Sequence, residues 1–242
     1  MLSKKKIIIL DGTYSHDEHA VSILSLLKGI LAAQEASIQI FTLRDIKINH
    51  CIGCFDCWLK TPGKCIYNDD PAKNILQDII TSDIVILFTP VVFGGYSSEL
   101  KKILERLLPV ALPFLEKIHD EVHHPRRYPS FPHIIGIGTY PVPNSEITIC
   151  FQILVGRTSL NAGTSYSADV FCHSESSESL QRRLLKLLSE KNNLPGQDEL
   201  CTMAKAARPQ KISIENRKAL LIIGSPKNKL PSTSEVLGGY LL

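Results

Sequence analysis

Apolar residues along this chain fall into short runs that alternate with stretches of helical spacing. Residues 7–10 are a β-branched run that stops at Asp11-Gly12, which predicts a buried strand followed by a turn. From residue 18 to about residue 34, Val21, Leu24, Leu27, Ile30 and Leu31 recur at helical spacing. Residues 38–43 predict a second strand. Asn68-Asp69-Asp70-Pro71 then opens a helix carrying Ile75, Ile79 and Ile80, with a carboxylate cap and a proline in its first turn. Residues 84–88 form a third apolar strand, which runs into Thr89-Pro90 and Gly94-Gly95 and then a helix over about 97–115. Residues 119–132 are polar and proline-rich and read as a long surface loop. A fourth strand covers 133–138, a mixed helix lies near 145–154, and a fifth strand covers 166–172. An amphipathic helix over 177–192 carries Leu180, Leu184, Leu187 and Leu188.

Strands alternating with helices imply a parallel sheet covered on both faces. Five strands with short strand-to-helix loops fit an α/β, flavodoxin-like, doubly wound five-stranded sheet. Ligands of such sheets gather at the carboxyl ends of the strands. The loops after the first four strands are therefore the candidates for a site. This domain is expected to span residues 1–192. Residues 193–216 are irregular and polar and read as a linker. Residues 217–242 restart the pattern with a strand at 219–223, a turn at Gly224-Ser225-Pro226-Lys227 and a helix start at 232–242. This strand-helix extension reads as the start of a second, truncated unit of the same kind.

The loop after the second strand carries the most distinctive chemistry. Cys51, Cys54, Cys57 and Cys65 lie within residues 50–68, spaced C-x2-C-x2-C-x7-C. Two residues between thiols let neighbouring sulfurs converge on one small inorganic centre. Three such thiolates plus a fourth after a turn suit an iron–sulfur cube. Four thiolates also suit a structural zinc ion, and the loop can pack with its thiols free. The other three cysteines, Cys150, Cys172 and Cys201, are scattered and read as small apolar residues. No serine–histidine–aspartate or paired-carboxylate arrangement stands out, so no catalytic side chain is assigned. The chemistry is expected to belong to a cofactor.

Bulk composition narrows the partners. Apolar residues make up 44% and charged residues 21%, ordinary for a globular chain, and a net charge of +3 is too small to argue for nucleic acid. The basic start is followed by an apolar run of only four residues, too short for a secretory signal, and no later run reaches membrane-spanning length. A cytoplasmic protein acting on small molecules is the expectation. Clustered cysteines in that compartment mean metal or redox chemistry more often than disulfides.

Two stretches carry a resemblance. The first runs from Cys51 through Asp69-Asp70. The second is Thr89-Pro90-Val91-Val92-Phe93-Gly94-Gly95-Tyr96-Ser97, leading to Lys101 and Arg106. Over residues 5 to about 192 the chain resembles the NADPH-dependent FMN reductase superfamily, and within it the iron–sulfur flavoproteins. The resemblance implies FMN, a 4Fe-4S cluster on the four cysteines, homo-oligomers, and NAD(P)H or a ferredoxin-type protein as electron donor or acceptor. It also implies that Pro90, Val91, Val92, Phe93, Gly94, Gly95 and Tyr96 contact the flavin. Gly138 and Thr139, after the fourth strand, join that set.

The first loop departs from the family pattern. Relatives have Gly-Ser followed by basic, Asn and Ser/Thr residues, which grip the FMN phosphate. Here the loop is Asp11-Gly12-Thr13-Tyr14-Ser15-His16-Asp17-Glu18-His19. Two acids near a phosphate are unfavourable, while Thr13, Ser15 and the helix N-terminus can donate hydrogen bonds. A closer copy of the pattern lies at Gly224-Ser225-Pro226-Lys227 with Ser232-Thr233-Ser234.

Side chains around these motifs have plainer readings. His123-His124-Pro125-Arg126-Arg127 reads as a solvated loop or as an attractor for a phosphorylated dinucleotide. Lys101 and Arg106 read as solvated or paired, and Trp58 as a loop anchor or a cofactor contact. The function expected is electron exchange between FMN and the cluster. An NAD(P)H-dependent FMN or quinone reductase without a cluster, and a non-catalytic interaction module, are the alternatives.

Overall fold

The computed structural model describes residues 2–118, 121–190 and 192. In chain order the elements are β1 (Lys6–Asp11), α1 (Glu18–Ala32), β2 (Ser37–Thr42), α2 (Asp56–Leu59), α3 (Ala72–Ile80), β3 (Ile84–Pro90) and α4 (Ser98–Glu105). They continue with β4 (Glu116–Ile118), β5 (Glu121–His123), β6 (His133–Tyr140), α5 (Ser145–Ala162), β7 (Tyr166–Cys172) and α6 (Ser177–Ser189). Five strands make one parallel sheet in the order β2-β1-β3-β6-β7. This is the flavodoxin-like doubly wound order, whose direction of winding switches between β1 and β3.

Side-chain alternation along the strands builds two cores. Ile8 and Leu10 of β1 face α3, α4 and α5, packing with Ile75, Leu100, Ile103 and Phe151. Ile7 and Ile9 face α1 and α6, packing with Ile23, Leu27, Leu184 and Leu187. Helix α5 and the loop after β3 both pack closely on β6. A Cβ at Gly136 would lie 2.6 Å from a Val155 methyl, and one at Gly138 would lie 2.7 Å from a Val91 methyl. The glycines of β6 are therefore packing requirements.

Four helices start on a side chain that accepts a backbone N–H: Asp17 for α1, Ser97 for α4, Asn144 for α5 and Ser176 for α6. The structure also corrects three expectations. The helix expected over 97–115 stops at Glu105, and a separate 3-10 turn, Leu108–Val110, follows with Pro109 in it. The expected surface loop at 119–132 contains β5, which pairs antiparallel with β4. Helix α5 runs on to Ala162 and ends at Gly163, which has φ 61°. The linker and the second unit expected over 193–242 lie outside the described residues.

Candidate functional site

The switch between β1 and β3 brings three loops to the carboxyl edge of the sheet. The longest follows β2. It passes a 3-10 turn at Leu43–Asp45 and carries the four cysteines around the single turn of α2. Its backbone is sharply bent: Gly53, Phe55 and Gly63 have φ of 64°, 57° and 81°. All four cysteines line one small, open-mouthed cavity, whose wall also includes Tyr67, Arg106 and Pro109. Cys54 is exposed, Cys51 and Cys65 are half-buried, and Cys57 is buried. Burial pushes the Cys57 thiol above its ordinary pKa, and charge on Cys65, Cys54 and Cys51 pushes it further. The four sulfurs thus feel one another's charge. Among the described residues no three His, Cys, Asp or Glu side chains sit close enough to share one metal ion.

A buried ion pair underlies this loop. Arg106, at the end of α4, donates from Nη1 to Asp70 Oδ2 at 2.6 Å and from Nη2 to Asp70 Oδ1 at 3.3 Å. Nη1 also reaches the Asn49 carbonyl at 3.0 Å, and the guanidinium carbon lies 5.1 Å from the centre of the Tyr67 ring. The two side chains are 2% and 1% exposed. Asp70 also accepts the N–H groups of Asn49 and Ala72. Burial opposes its ionisation, but the Arg106 and backbone hydrogen bonds outweigh it and hold the carboxyl below its ordinary range. The pair therefore ties the start and end of the cysteine loop to α4.

Further ties run to the segment after α4. The Trp58 indole N–H donates to the Leu108 carbonyl at 3.2 Å, and its ring lies against Phe55 and His124. Arg127 Nε donates to the Pro109 carbonyl at 2.9 Å, and Arg126 donates to the Gly163 carbonyl at 3.0 Å. His123 is buried between Asn161 and Glu121. The basic run at 123–127 is therefore largely spent on internal bonds. Trp58 has an anchoring role.

The loops after β1 and β3 are tied to each other. The Ser97 hydroxyl donates to the Gly12 carbonyl at 2.7 Å, and Ser97 N–H donates to Thr89 Oγ at 2.9 Å. Thr13 is buried, and both its N–H and its hydroxyl donate to Asp11 Oδ1, at 3.0 and 2.6 Å. Arg44 Nη1 closes this cluster, 3.1 Å from Asp11 Oδ2 and 3.2 Å from the Thr13 hydroxyl. Ser15 is exposed and shares an open hollow with Arg44, Lys47 and Lys102. Asp17 sits at the N-terminus of α1, accepting the Ala20 N–H at 2.9 Å.

After β3, Val92 and Gly95 exchange backbone hydrogen bonds of 3.0 and 2.8 Å around Phe93 and Gly94, whose φ are 49° and 77°. Two left-handed central residues make a tight hairpin turn, with Phe93 fully exposed at its tip. Pro90 ends β3 opposite Thr139, and Val91 is buried, its N–H donating to the Thr139 carbonyl at 2.9 Å. Tyr96 instead points inward, bonded to the Thr158 hydroxyl at 3.0 Å and edge-on to Phe151. Burial pushes its phenol up to about 12.

The two flavin-loop residues expected to lie against a ring thus separate, with Phe93 outside and Tyr96 half-buried against the core. Gly138 packs on Val91, and Thr139 is buried. Lys101 pairs with Glu105 on the surface, whereas Arg106 is buried. Sequence reasoning quoted Asp70 and Arg106 in two separate motifs and missed their contact. It also missed Arg44, whose only signal was a cation following the second strand.

Comparison with known proteins agrees with this geometry. Residues 5–118 match the model of the family described as NADPH-dependent FMN reductase. An iron–sulfur flavoprotein of Methanocaldococcus jannaschii is 31% identical over 109 residues, 45% of this chain and 55% of the relative. A second from the same organism is 31% identical over 97 residues, 40% of this chain and 44% of the relative. The matches thus span about half the length of these relatives. The solved NAD(P)H:quinone oxidoreductase of Methanothermobacter marburgensis superposes with a TM-score of 0.56 at 10% identity, covering 90% of this chain and 100% of that one, which establishes the shared fold. Residues 5–118 of this chain are thus similar to the NADPH-dependent FMN reductase family.

Proposed function

We propose that this chain is a flavin-dependent oxidoreductase in which FMN at the carboxyl edge of the sheet works with a 4Fe-4S cluster held by Cys51, Cys54, Cys57 and Cys65. The observation that carries this reading is the convergence of four thiols on one cavity within the family-matching segment. The name of the relatives, iron–sulfur flavoprotein, supports it. When bound, the flavin supplies two-electron and one-electron chemistry and the cluster supplies one-electron transfer. NAD(P)H or a ferredoxin-type carrier is the proposed electron source. A homo-oligomer in the cytoplasm is the proposed setting; among the described residues no helix is long and apolar enough to cross a membrane.

The donor set fits the cluster in number and in kind. For the flavin phosphate the fit is different from that expected. The Thr13 hydroxyl is committed to Asp11. Ser15 is open, and the N–H groups of Tyr14, Ser15 and His16 make no hydrogen bond among the described residues. These groups would receive the phosphate, with Arg44, Lys47 and Lys102 lining the adjoining hollow. The Val92–Gly95 turn and exposed Phe93 would border the ring, and burial of Tyr96 holds that turn against α5.

The test is anaerobic purification and loading of the full chain, with flavin, iron and acid-labile sulfide assayed on one sample. Flavin with equal amounts of iron and sulfide is the expected result. Flavin without iron would select an NAD(P)H-dependent FMN or quinone reductase lacking the cluster. A colourless protein would overturn both and leave a non-catalytic interaction module.

A further inference from the structure

A guanidinium carries five N–H donors. In Arg106 the terminal nitrogens are used: Nη1 on the Asn49 carbonyl and Asp70 Oδ2, and Nη2 on Asp70 Oδ1. These bonds and the Tyr67 ring fix the plane of the group. Nε is different. It is buried and, among the described residues, makes no hydrogen bond. Leaving such a donor unsatisfied is destabilising, and here this happens in a side chain whose other nitrogens are bonded. Arg106 also lines the cavity that the four cysteines line. Burial disfavours the charged guanidinium, while Asp70 and, from the cavity, the Cys65 sulfur favour it, the sulfur both by its charge and as a hydrogen-bond partner. Nε thus forms no well-aligned bond, and the neighbour nearest to serving it is a cysteine sulfur.

We propose that Arg106 is a positioning residue of the four-cysteine site, its Nε–H donating to sulfur of the group bound there and raising that group's reduction potential. The inference rests on the proposed cluster. Hydrogen bonds to cluster sulfurs and local charge are established levers on reduction potential. A donor favours the form with more negative charge on sulfur, which is the reduced form. The Asp70 carboxylate opposes it, because its charge lies on the other side of the same guanidinium. Lysine cannot replace this arrangement, since it lacks the rigid fork that satisfies Asp70 and presents a third nitrogen elsewhere.

The experiment is a dithionite titration, monitored by absorbance and electron paramagnetic resonance, of the iron-loaded full chain and of its Arg106→Lys and Asp70→Asn variants. Arg106→Lys should lower the midpoint potential, changing the reduced-to-oxidised ratio at fixed potential about tenfold, which is about 59 mV for one electron. Asp70→Asn keeps an oxygen for Arg106 while removing the opposing charge, so it should move the potential upward. Opposite shifts support the inference. Unchanged potentials, or shifts in the same direction, overturn it, because loosening of the loop alone would act alike in both variants. Should Arg106→Lys fail to fold or load, Asp70→Asn decides: an upward shift supports, and no shift or a downward one overturns. Wild-type protein that holds no iron overturns the cluster reading and this inference with it.

Discussion

The loops after β1 and β2 each contain a buried aspartate bonded to an arginine, yet the pairs do different work. In the first, Asp11 is 1% exposed, and its partner Arg44 is 30% exposed. Its oxygens accept Thr13 N–H, Thr13 hydroxyl and Arg44, so the cluster is closed and the hydroxyl expected to grip a phosphate is used up. In the second, Asp70 and Arg106 are both buried, and one guanidinium donor is left over beside four thiols. The same ion-pair chemistry completes one loop and leaves the other incomplete. The proposed cluster would supply the acceptor that the second pair leaves open.

The comparison can be broken most strongly at the second pair. Asp70→Leu leaves a buried guanidinium without its counter-charge and should destabilise the protein by about 3–5 kcal/mol. Arg44→Ala removes a half-exposed partner while Thr13 still bonds Asp11. It should cost less, about 1.5–3 kcal/mol for a hydrogen bond to a charged group. Urea unfolding of both variants checks the order, and equal losses would erase the distinction. The second pair should also show in the pH dependence. Asp70 has its pKa depressed below the ordinary value of 3.8. Its contribution is fully present above that value and is lost as pH falls through the lower, folded value. The unfolding midpoint of the wild type should therefore drop more steeply below pH 3.8 than that of Asp70→Asn.

The strand runs and the parallel order were legible because β-branched residues cluster where both faces of the sheet are covered. Ile84–Pro90 is an example, with every residue but the last buried. The cysteine cavity was legible because two-residue spacings bring thiols together locally. The Asp70–Arg106 contact was not, since its partners lie 36 positions apart and meet only when α4 docks beside the cysteine loop. The β4–β5 hairpin was hidden for another reason: three-residue strands are too short for a period of two to declare itself. Gly138 shows a third limit. A glycine beside a candidate ligand loop reads as room for the ligand, and here it is room for Val91.

Between the two loops stands Gly12, whose backbone carries the bond from Ser97. A Cβ there would lie 2.7 Å from Ser97 Oγ and 2.8 Å from Leu100 Cβ. Gly12→Ala should therefore cost about 1–3 kcal/mol, the range of core overpacking. It should also separate the loops after β1 and β3, so flavin affinity should fall along with the unfolding midpoint. Stability lost with flavin affinity intact would mean that the first loop does not contact the flavin.

The smallest expected effect tests the first loop most directly. Asp17 caps α1 by accepting the Ala20 N–H, and in doing so it places a negative charge where the proposed phosphate would sit. Asparagine caps a helix about as well as aspartate, so Asp17→Asn should leave the fold unchanged while removing that charge. Charges near a helix N-terminus are worth about 0.3–1 kcal/mol. If the FMN phosphate lies against Tyr14, Ser15 and His16, flavin should bind the variant about two- to fivefold more tightly. Riboflavin, which has the ring but no phosphate, should bind both proteins alike. A gain for FMN alone would locate the phosphate at this helix end. Equal behaviour of the two flavins would locate it elsewhere and leave Asp17 a cap and nothing more.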